Sequence, residues 1–286
     1  MSVRRWLGVA VVVASLVACS DSSGASTAAP STAASSAAAT SSAAPASGVA
    51  AADLEIYGAA SLKAVLANVK EAYEAANPGT TLTVSTDSSS ALETKIEQGA
   101  PADVFLSADT TNPKKLVDGG FASGDVMPFA GNHLVIITPT DNPAGITSPK
   151  DLAKPGLKII AADDKVPITK YATQLVENLA KEAGYPADFA TAYANNIASK
   201  EENVAGVVNK VGLGEGDAGI VYVTDARASD KVAPVEVPDT ANVPATYGGV
   251  IVKASPDQAA ARAFLDWLAG TDGQAILASF GFTAPS

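Results

Sequence analysis

The chain has little of the side-chain chemistry that most enzymes use. Its 286 residues include one cysteine and one histidine. A single cysteine excludes an internal disulfide. A single histidine, His133, leaves a serine–histidine–acid triad only one possible base, and the sequence has no Gly-x-Ser-x-Gly elbow. His133 stands beside an apolar strand pattern, which favours a polar hinge residue over a catalytic base.

The acidic residues lack the spacing of a metal site. Asp163 and Asp164 are adjacent in sequence, as are Glu201 and Glu202, so within each pair the side chains point apart on a helix or a strand. The glycine-rich run 212–216 lacks the spacing of a dinucleotide-binding loop and lies between a helix pattern and a strand pattern, which predicts a turn. We therefore expect no enzyme, no cofactor and no metal ion ligated directly by protein side chains.

The chain is also poor in positive charge. Its formal net charge is −11, and removal of an N-terminal segment containing Arg4 and Arg5 makes it about −13. This balance argues against a nucleic-acid partner and against electrostatic docking to acidic lipid. An anion bound by this chain must therefore be held by local geometry, against the overall field.

The N-terminus has the features of an exported lipoprotein. Residues 1–18 place two arginines before an apolar run that is too short to span a bilayer, which predicts a secretory signal peptide. The run ends in Leu-Val-Ala before Cys19, and this resembles the bacterial lipobox, in which the cysteine is lipidated. From Cys19 to residue 51 the chain is almost entirely Ser, Ala, Thr, Gly and Pro, which predicts a flexible tether. We expect a protein held by lipid at the outer face of the bacterial cytoplasmic membrane.

Strand and helix patterns alternate from residue 52 onward, which predicts an α/β fold. A βαβαβ pattern covers residues 54–107, and a second set of strands and helices follows from residue 134. In this second set a helix is predicted at 171–183, and the last strand is predicted at 247–252. The last helical pattern, 256–280, is broken near Gly270 and belongs to a segment too short to form a lobe of its own. We expect a first lobe at 52–131, a second lobe at 132–245, and a return segment at 246–286 that packs on the first lobe.

Two serine-containing segments follow predicted strands and precede predicted helices. Ser61 takes an N-cap position before Leu62, and Ser89 lies in a run of three serines before a second helix. Taken singly, each has the pattern of an ordinary helix cap. Together, on neighbouring βα units of one sheet, their hydroxyls and the free N–H groups of the helix starts predict a pocket for an oxyanion.

A longer pattern surrounds these serines. Its segments, in chain order, are Ala59-Ala60-Ser61-Leu62, Ser88-Ser89-Ser90 with Leu92, Gly99-Ala100-Pro101-Ala102-Asp103-Val104-Phe105, Gly131-Asn132, Val166-Pro167 with Tyr171-Ala172, Glu202-Asn203-Val204, Gly219-Ile220-Val221-Tyr222 and Phe280-Gly281-Phe282. The combination resembles the periplasmic molybdate-binding protein of ABC importers. The resemblance covers essentially all of residues 53–284.

This resemblance implies the two-lobed type II periplasmic-binding-protein fold, each lobe a mainly parallel sheet flanked by helices. It implies molybdate or tungstate as the ligand, held in the cleft between the lobes, an ABC permease as the partner, and a monomer. The ligand-binding residues would be Ser61 and Ser89, through hydroxyl and backbone N–H, Ile168 and Val204, through backbone N–H, and Tyr222, through its hydroxyl. The family usually has Ala then Gly after the Val-Pro pair, where this chain has Ile168-Thr169-Lys170.

Three alternatives remain open at this point. The same fold could bind another ligand, such as sulfate, which is also fully deprotonated, or an organic acid, although Arg227 and Arg262 lie in no cleft motif. A secreted hydrolase could use Ser61 or Ser89, although it lacks an evident base. A surface lipoprotein could have lost ligand binding through the altered loop at Ile168.

Overall fold

Ten strands in two five-stranded sheets carry the described part of the fold. The strands are β1 (Asp53–Ala59), β2 (Thr81–Asp87), β3 (Val104–Ser107), β4 (Ala122–Asn132), β5 (Leu134–Pro139), β6 (Ile159–Ala162), β7 (Ile197–Glu201), β8 (Ala218–Tyr222), β9 (Val232–Val235) and β10 (Ala245–Val252). Lobe 1 is the sheet β2-β1-β3-β10-β4 with the helices on it, and lobe 2 is the sheet β7-β6-β8-β5-β9 with its own helices.

Helices cover both sheets. They are α1 (Lys63–Ala76), α2 (Ser89–Glu97), α3 (Thr111–Asp118), α4 (Pro167–Leu179), α5 (Phe189–Asn195), α6 (Val204–Gly212), α7 (Val223–Arg227), α8 (Gln258–Ala269) and α9 (Thr271–Ser279). Short 3₁₀ helices occupy Ala60–Leu62 and Pro149–Ala153. Helices α1, α2, α3, α8 and α9 pack on lobe 1, and α4 to α7 pack on lobe 2.

The two sheets share one topology. In each, three strands pair in parallel, and a reversed strand, β10 or β5, joins them to a fifth strand. Because the fifth strand is antiparallel to the reversed one, it runs with the first three. Each sheet is therefore mainly parallel, and the predicted two-lobed α/β fold is confirmed.

The sequence of each strand matches its place in the sheet. The inner strands β3, β5 and β8 are buried along their whole length, as expected for continuous apolar runs covered on both faces by helices. The edge strand β7 alternates between half-buried and exposed residues and carries Lys200, a pattern that protects an open sheet edge.

The chain passes between the lobes at two places, from β4 to β5 and from β9 to β10. The first passage runs through Asn132 and His133, and the His133 carbonyl accepts a hydrogen bond from the backbone N–H of Val223, 2.9 Å away. The C-terminal segment returns to the same place, because Gly131 and Thr283 exchange two backbone hydrogen bonds of 2.7 and 2.9 Å. A side chain at Gly131 would meet the Thr283 hydroxyl and the Ala284 carbonyl at 2.4 Å, so only glycine fits there.

The computed structural model describes residues 51–285, which belong to one compact unit. The predicted signal peptide, the lipidation at Cys19 and all of the predicted tether except Ala51 lie outside the described residues. Within 51–285, none of the helices has the length and apolar character that crossing a membrane requires.

Candidate functional site

Four helical segments begin at one place in the cleft between the lobes. Ser61 lies in the 3₁₀ turn that follows β1, Ser89 is the first residue of α2, Ile168 is the second residue of α4, and Val204 is the first residue of α6. The segments with Ser61, Ser89 and Ile168 each follow a strand that runs in the common direction of its sheet, so they meet at the carboxyl edges of the two sheets. In open α/β sheets that edge is where ligands bind.

All five residues predicted to bind the ligand line one small cavity. Its volume is about 200 Å³ when the adjoining open solvent is counted, and its other lining residues are Ala59, Ala60, Ser88, Ala108, Val166 and Pro167. Ser61, Ser89 and Ala108 come from lobe 1, whereas Ile168, Val204 and Tyr222 come from lobe 2. The structure thus brings all five together and places them on opposite walls of one site.

The helix starts supply backbone donors to this cavity. The first N–H groups of a helix have no acceptor within it. In α2 the Ser88 hydroxyl accepts from the backbone N–H of Ala91 at 3.3 Å, and in α6 the Asn203 side chain accepts from Gly206 at 3.1 Å. These caps take up N–H groups further into each helix. Ser89 and Val204 stand at the first helical position beside the cavity, and their N–H groups have no acceptor within the helix.

The prediction that Ser61 takes an N-cap position is wrong. Ser61 makes no side-chain cap, because its 3₁₀ turn begins after Ala59. Its hydroxyl instead lies 2.9 Å from the hydroxyl of Tyr247, which is 186 residues later in the chain. In the second segment the cap is Ser88, and Ser89 is free of that role: its hydroxyl oxygen accepts from the backbone N–H of Ala108 at 3.0 Å. Because that bond uses a lone pair, the Ser89 proton remains available as a donor.

Tyr222 has a hydroxyl without a partner. Its side chain is 1% exposed, and its hydroxyl oxygen is the only buried side-chain polar atom in residues 51–285 that makes no hydrogen bond. An unpartnered buried hydroxyl costs about 1–3 kcal/mol and calls for an explanation such as a bound ligand. Burial raises the pKa of this phenol well above its usual value, and the nearby Tyr247 raises it further. The group therefore stays protonated, which makes it a hydrogen-bond donor.

The cavity wall carries no charge. Its eleven lining residues within the described range are all neutral, so an anion there would be held by N–H and O–H dipoles alone. A buried carboxyl lies behind the wall: Asp225 accepts a hydrogen bond from the backbone N–H of Tyr222 at 3.2 Å. Burial raises the pKa of Asp225 to about 7, although the bond from Tyr222 opposes the shift.

The departure from the family pattern leaves the cavity intact. The Ile168 side chain is 1% exposed and belongs to the apolar core. The Lys170 side chain is exposed and is not among the residues that line the cavity. The α4 helix begins at Pro167, a favoured residue at the first helical position. This start puts the Ile168 N–H in the first turn, where it has no acceptor in the helix.

None of the eleven residues that line the cavity is a histidine, lysine, aspartate or glutamate. His133 is exposed and is not among the residues that line the cavity. Residues 51–285 contain no cluster of His, Cys, Asp and Glu side chains suited to a metal ion. The arrangement of donors can bind an acceptor-rich anion.

The role of two further residues at the site, Tyr247 and Asn132, could not be predicted from the sequence. Tyr247 opens the predicted last strand, and Asn132 stands out only as part of a family pattern; neither has a local motif. They reach the site through contacts with residues 92 to 186 positions away. A contact of that kind leaves no signal in one sequence.

Comparison with known proteins gives consistent results. Residues 54–283 match the family model described as bacterial extracellular solute-binding protein. The chain is 35% identical to the molybdate-binding protein ModA of Mycobacterium tuberculosis, over 98% of this chain and 100% of that protein. It is 30% identical to a putative ABC transporter substrate-binding lipoprotein, YvgL, of Bacillus subtilis, over 81% of this chain and 86% of that one. The solved structure of the Azotobacter vinelandii periplasmic molybdate-binding protein is similar, with a TM-score of 0.69 and 25% identity over 82% of this chain and 100% of that one.

Proposed function

The chain belongs to the family of bacterial extracellular solute-binding proteins, and on that premise we propose that it captures molybdate outside the cytoplasm for an ABC importer. The relative from M. tuberculosis, which matches over its whole length, is named a molybdate-binding protein. In this role the protein binds and releases its solute and carries out no reaction. The ligand would lie in the cavity between the lobes, held by Ser61, Ser89, Ile168, Val204 and Tyr222.

The observation that carries this proposal is the unpartnered Tyr222 hydroxyl. A buried donor without an acceptor destabilises the protein alone, but it becomes favourable when a ligand oxygen accepts its proton. Tyr222 belongs to lobe 2 and faces serines of lobe 1 in the same cavity. A ligand that accepts from both walls stabilises the contact between the lobes, since only the closed arrangement uses both sets of donors.

Energies and size favour a compact, fully deprotonated oxyanion. Seven donors, counting hydroxyl and N–H of both serines, would contribute roughly 10–20 kcal/mol before ordering and desolvation costs. A net affinity in the micromolar to nanomolar range, about −8 to −12 kcal/mol, is consistent with that sum. The space open to a water-sized sphere is about 10 Å³, far below the roughly 300–1,000 Å³ of pockets for drug-sized ligands, which favours one small ion over an organic ligand.

Selectivity would follow from the donors. A site with only donors penalises a protonated oxyanion, because its O–H would face another donor. Phosphate, which keeps a proton near neutral pH, would be disfavoured on that ground, whereas sulfate would be separated from molybdate by size. Tungstate shares the charge and shape of molybdate, and we propose that it binds as well.

Attachment and assembly are part of the same proposal. Lipidation of Cys19, after removal of residues 1–18, would hold the protein at the outer face of the cytoplasmic membrane, and residues 19–51 would act as a tether. The name of the B. subtilis relative as a lipoprotein supports this. The partner would be the permease of an ABC importer, and the binding protein would act as a monomer. The proposed lobe limits, 52–131, 132–245 and 246–286, are supported by the pairing of β10 with β3 and β4.

Calorimetric titration of the purified protein with molybdate, tungstate, sulfate and phosphate tests the proposal. We expect sub-micromolar or micromolar binding of the first two, and binding at least about tenfold weaker for sulfate and phosphate. An absence of molybdate and tungstate binding would refute it. Tight sulfate binding without molybdate binding would reassign the site to a different oxyanion.

A further inference from the structure

A chain of buried hydrogen bonds runs from the passage between the lobes to the cavity. The Asn132 side-chain nitrogen lies 3.3 Å from the Tyr247 hydroxyl, and that hydroxyl lies 2.9 Å from the hydroxyl of Ser61. All three side chains are buried. Tyr247 and Asn132 are not among the residues that line the cavity, so the Tyr247 hydroxyl and the Asn132 amide act on a ligand through the Ser61 hydroxyl.

Asn132, the first residue in this series of hydrogen bonds, fixes which group donates and which accepts in each of them. The Asn132 side-chain oxygen accepts from the backbone N–H of His133 at 2.9 Å, so the amide nitrogen points the other way. That nitrogen donates to the Thr224 hydroxyl at 2.8 Å and to the Tyr247 hydroxyl at 3.3 Å. An amide nitrogen only donates, so Tyr247 is an acceptor toward Asn132. The Tyr247 hydroxyl therefore donates its own proton to the Ser61 oxygen.

The Tyr247 ring is held firmly enough to keep this direction. It is 0% exposed and makes edge-to-face contacts with Phe129, Tyr222 and Phe282, at centroid distances of 6.1, 5.6 and 5.5 Å. Burial raises the pKa of its phenol well above the usual value, so the hydroxyl keeps its proton. With the Ser61 oxygen accepting from Tyr247, the Ser61 proton is left for an acceptor in the cavity that Ser61 lines.

We propose that Asn132 and Tyr247 are positioning residues that fix the Ser61 hydroxyl as a donor to the bound anion. The inference rests on the proposed function, because it assigns a role within the same site. If Ser61 instead turned its proton toward Tyr247, the Tyr247 proton would face the Asn132 nitrogen, which cannot accept it. This hydrogen-bond chain, the Asn132–Tyr247–Ser61 relay, also acts on selectivity: it turns the Ser61 proton toward the ligand, so the O–H of a protonated oxyanion such as hydrogen phosphate would face a donor.

A double-mutant cycle on the full chain tests this. Tyr247→Phe removes the hydroxyl and keeps the ring in its aromatic cluster. We expect it to weaken molybdate binding by about five- to tenfold, the effect of losing one hydrogen bond. In a Ser61→Ala background the same change should weaken binding by less than about twofold, because Tyr247 then has nothing to position. Equal losses in both backgrounds, or no loss in either, would overturn the inference.

The selectivity between phosphate and molybdate is a second measurement. It would not change if Tyr247 had only a structural role. Without Tyr247 the Ser61 hydroxyl rotates freely, so the ratio of phosphate to molybdate dissociation constants should fall by about threefold or more in Tyr247→Phe. An unchanged ratio contradicts the relay. Tyr73→Phe, in a buried tyrosine of α1 whose ring contacts Phe264 and Trp267, is the matched control and should change neither quantity. If the wild-type protein does not bind molybdate, the proposed function fails and the relay fails with it. If the wild-type protein binds molybdate but the affinity losses of Tyr247→Phe and Ser61→Ala simply add, only the relay is overturned.

Discussion

Asn203 of lobe 2 donates a hydrogen bond to Asp87 of lobe 1, with 3.3 Å between the amide nitrogen and the carboxylate oxygen. Each residue stands beside a helix start at the cavity. Asn203 caps α6, whose first residue is Val204, and Asp87 accepts from the backbone N–H of Ser88 at 2.8 Å, next to Ser89. The contact therefore ties the two walls of the site together at its rim.

Asp87→Ala removes this contact between the lobes. We expect molybdate binding to weaken by about two- to fivefold, because a partly exposed hydrogen bond contributes about 0.5–1 kcal/mol. The change should appear in the dissociation rate, since the contact acts after the ligand has entered. Stopped-flow release of molybdate measures it. Lys95→Ala, which breaks only the ion pair between Lys95 and Asp87, is the control and should leave the rate unchanged; an equal effect of both variants would remove the contact from the mechanism.

The two cavity serines should each contribute to affinity. Ser61→Ala and Ser89→Ala each remove one hydroxyl donor, and we expect a loss of about tenfold or more in molybdate affinity from each. Ser90→Ala is the matched control, because Ser90 is the next residue in α2 but does not line the cavity. Calorimetry measures all three. The pocket assignment would not survive unchanged affinity in both Ser61→Ala and Ser89→Ala.

Tyr222→Phe should have opposite effects on stability and on binding. Without ligand, the change removes an unpartnered buried hydroxyl, so the free energy of unfolding should stay the same or rise by about 1 kcal/mol. With ligand, it removes a charge-assisted hydrogen bond, and affinity should fall by about 10- to 100-fold. Urea unfolding and calorimetry measure the two quantities.

A control variant, Tyr193→Phe, shows whether the effects of Tyr222→Phe come from this particular hydroxyl or from the loss of any buried tyrosine hydroxyl. Tyr193→Phe alters another buried tyrosine of lobe 2, which does not line the cavity, and should leave affinity unchanged. A Tyr222→Phe protein that is clearly less stable, yet binds molybdate as before, would mean that the hydroxyl has a structural role only.

Asp225 predicts a pH dependence of stability. Its pKa is raised by burial to about 7, above its value in the unfolded chain, so the folded protein holds the proton more tightly. The resulting stabilisation is present at low pH and is lost as the pH rises toward and through 7. For this group the loss between pH 5 and pH 8 is about 2–3 kcal/mol.

Asp225→Asn tests this dependence. The amide oxygen can still accept from the Tyr222 N–H but does not titrate. Urea unfolding at pH 5 and at pH 8 measures the free energy of unfolding of both proteins. The value for the variant minus the value for the wild type should rise by about 2–3 kcal/mol between these two pH values. Parallel stability curves for the two proteins would show that Asp225 does not titrate in this range.

Much of the site was predictable because its signals are local. Small residues at the ends of β1 and β2, followed by serines and helical periodicity, placed Ser61 and Ser89 at helix starts. The same local logic failed for α4, predicted to begin at Tyr171: the helix begins at Pro167, where proline at the first position is the missed signal. That difference is what puts Ile168 in the first turn.

Other parts depend on distant contacts and could not be predicted. Strand β4 contains glycine, proline and aspartate and lacks alternation; it forms because β10 pairs with it, through two irregularities in register. Ser61 was predicted at a helix N-cap with its hydroxyl available to the ligand, yet that hydroxyl also lies 2.9 Å from the hydroxyl of Tyr247, 186 residues later in the chain. Such pairings arise when the return strand enters the sheet of lobe 1, and no local pattern records them.

The most direct test of the proposed site is a crystal structure of the protein with molybdate, measured at the molybdenum absorption edge. We predict one strong anomalous peak in the cavity between the lobes, with oxygen atoms of the ion within about 3 Å of donors on Ser61, Ser89, Ile168, Val204 and Tyr222. A peak elsewhere on the protein, or an ion held by lysine or arginine side chains, would contradict it.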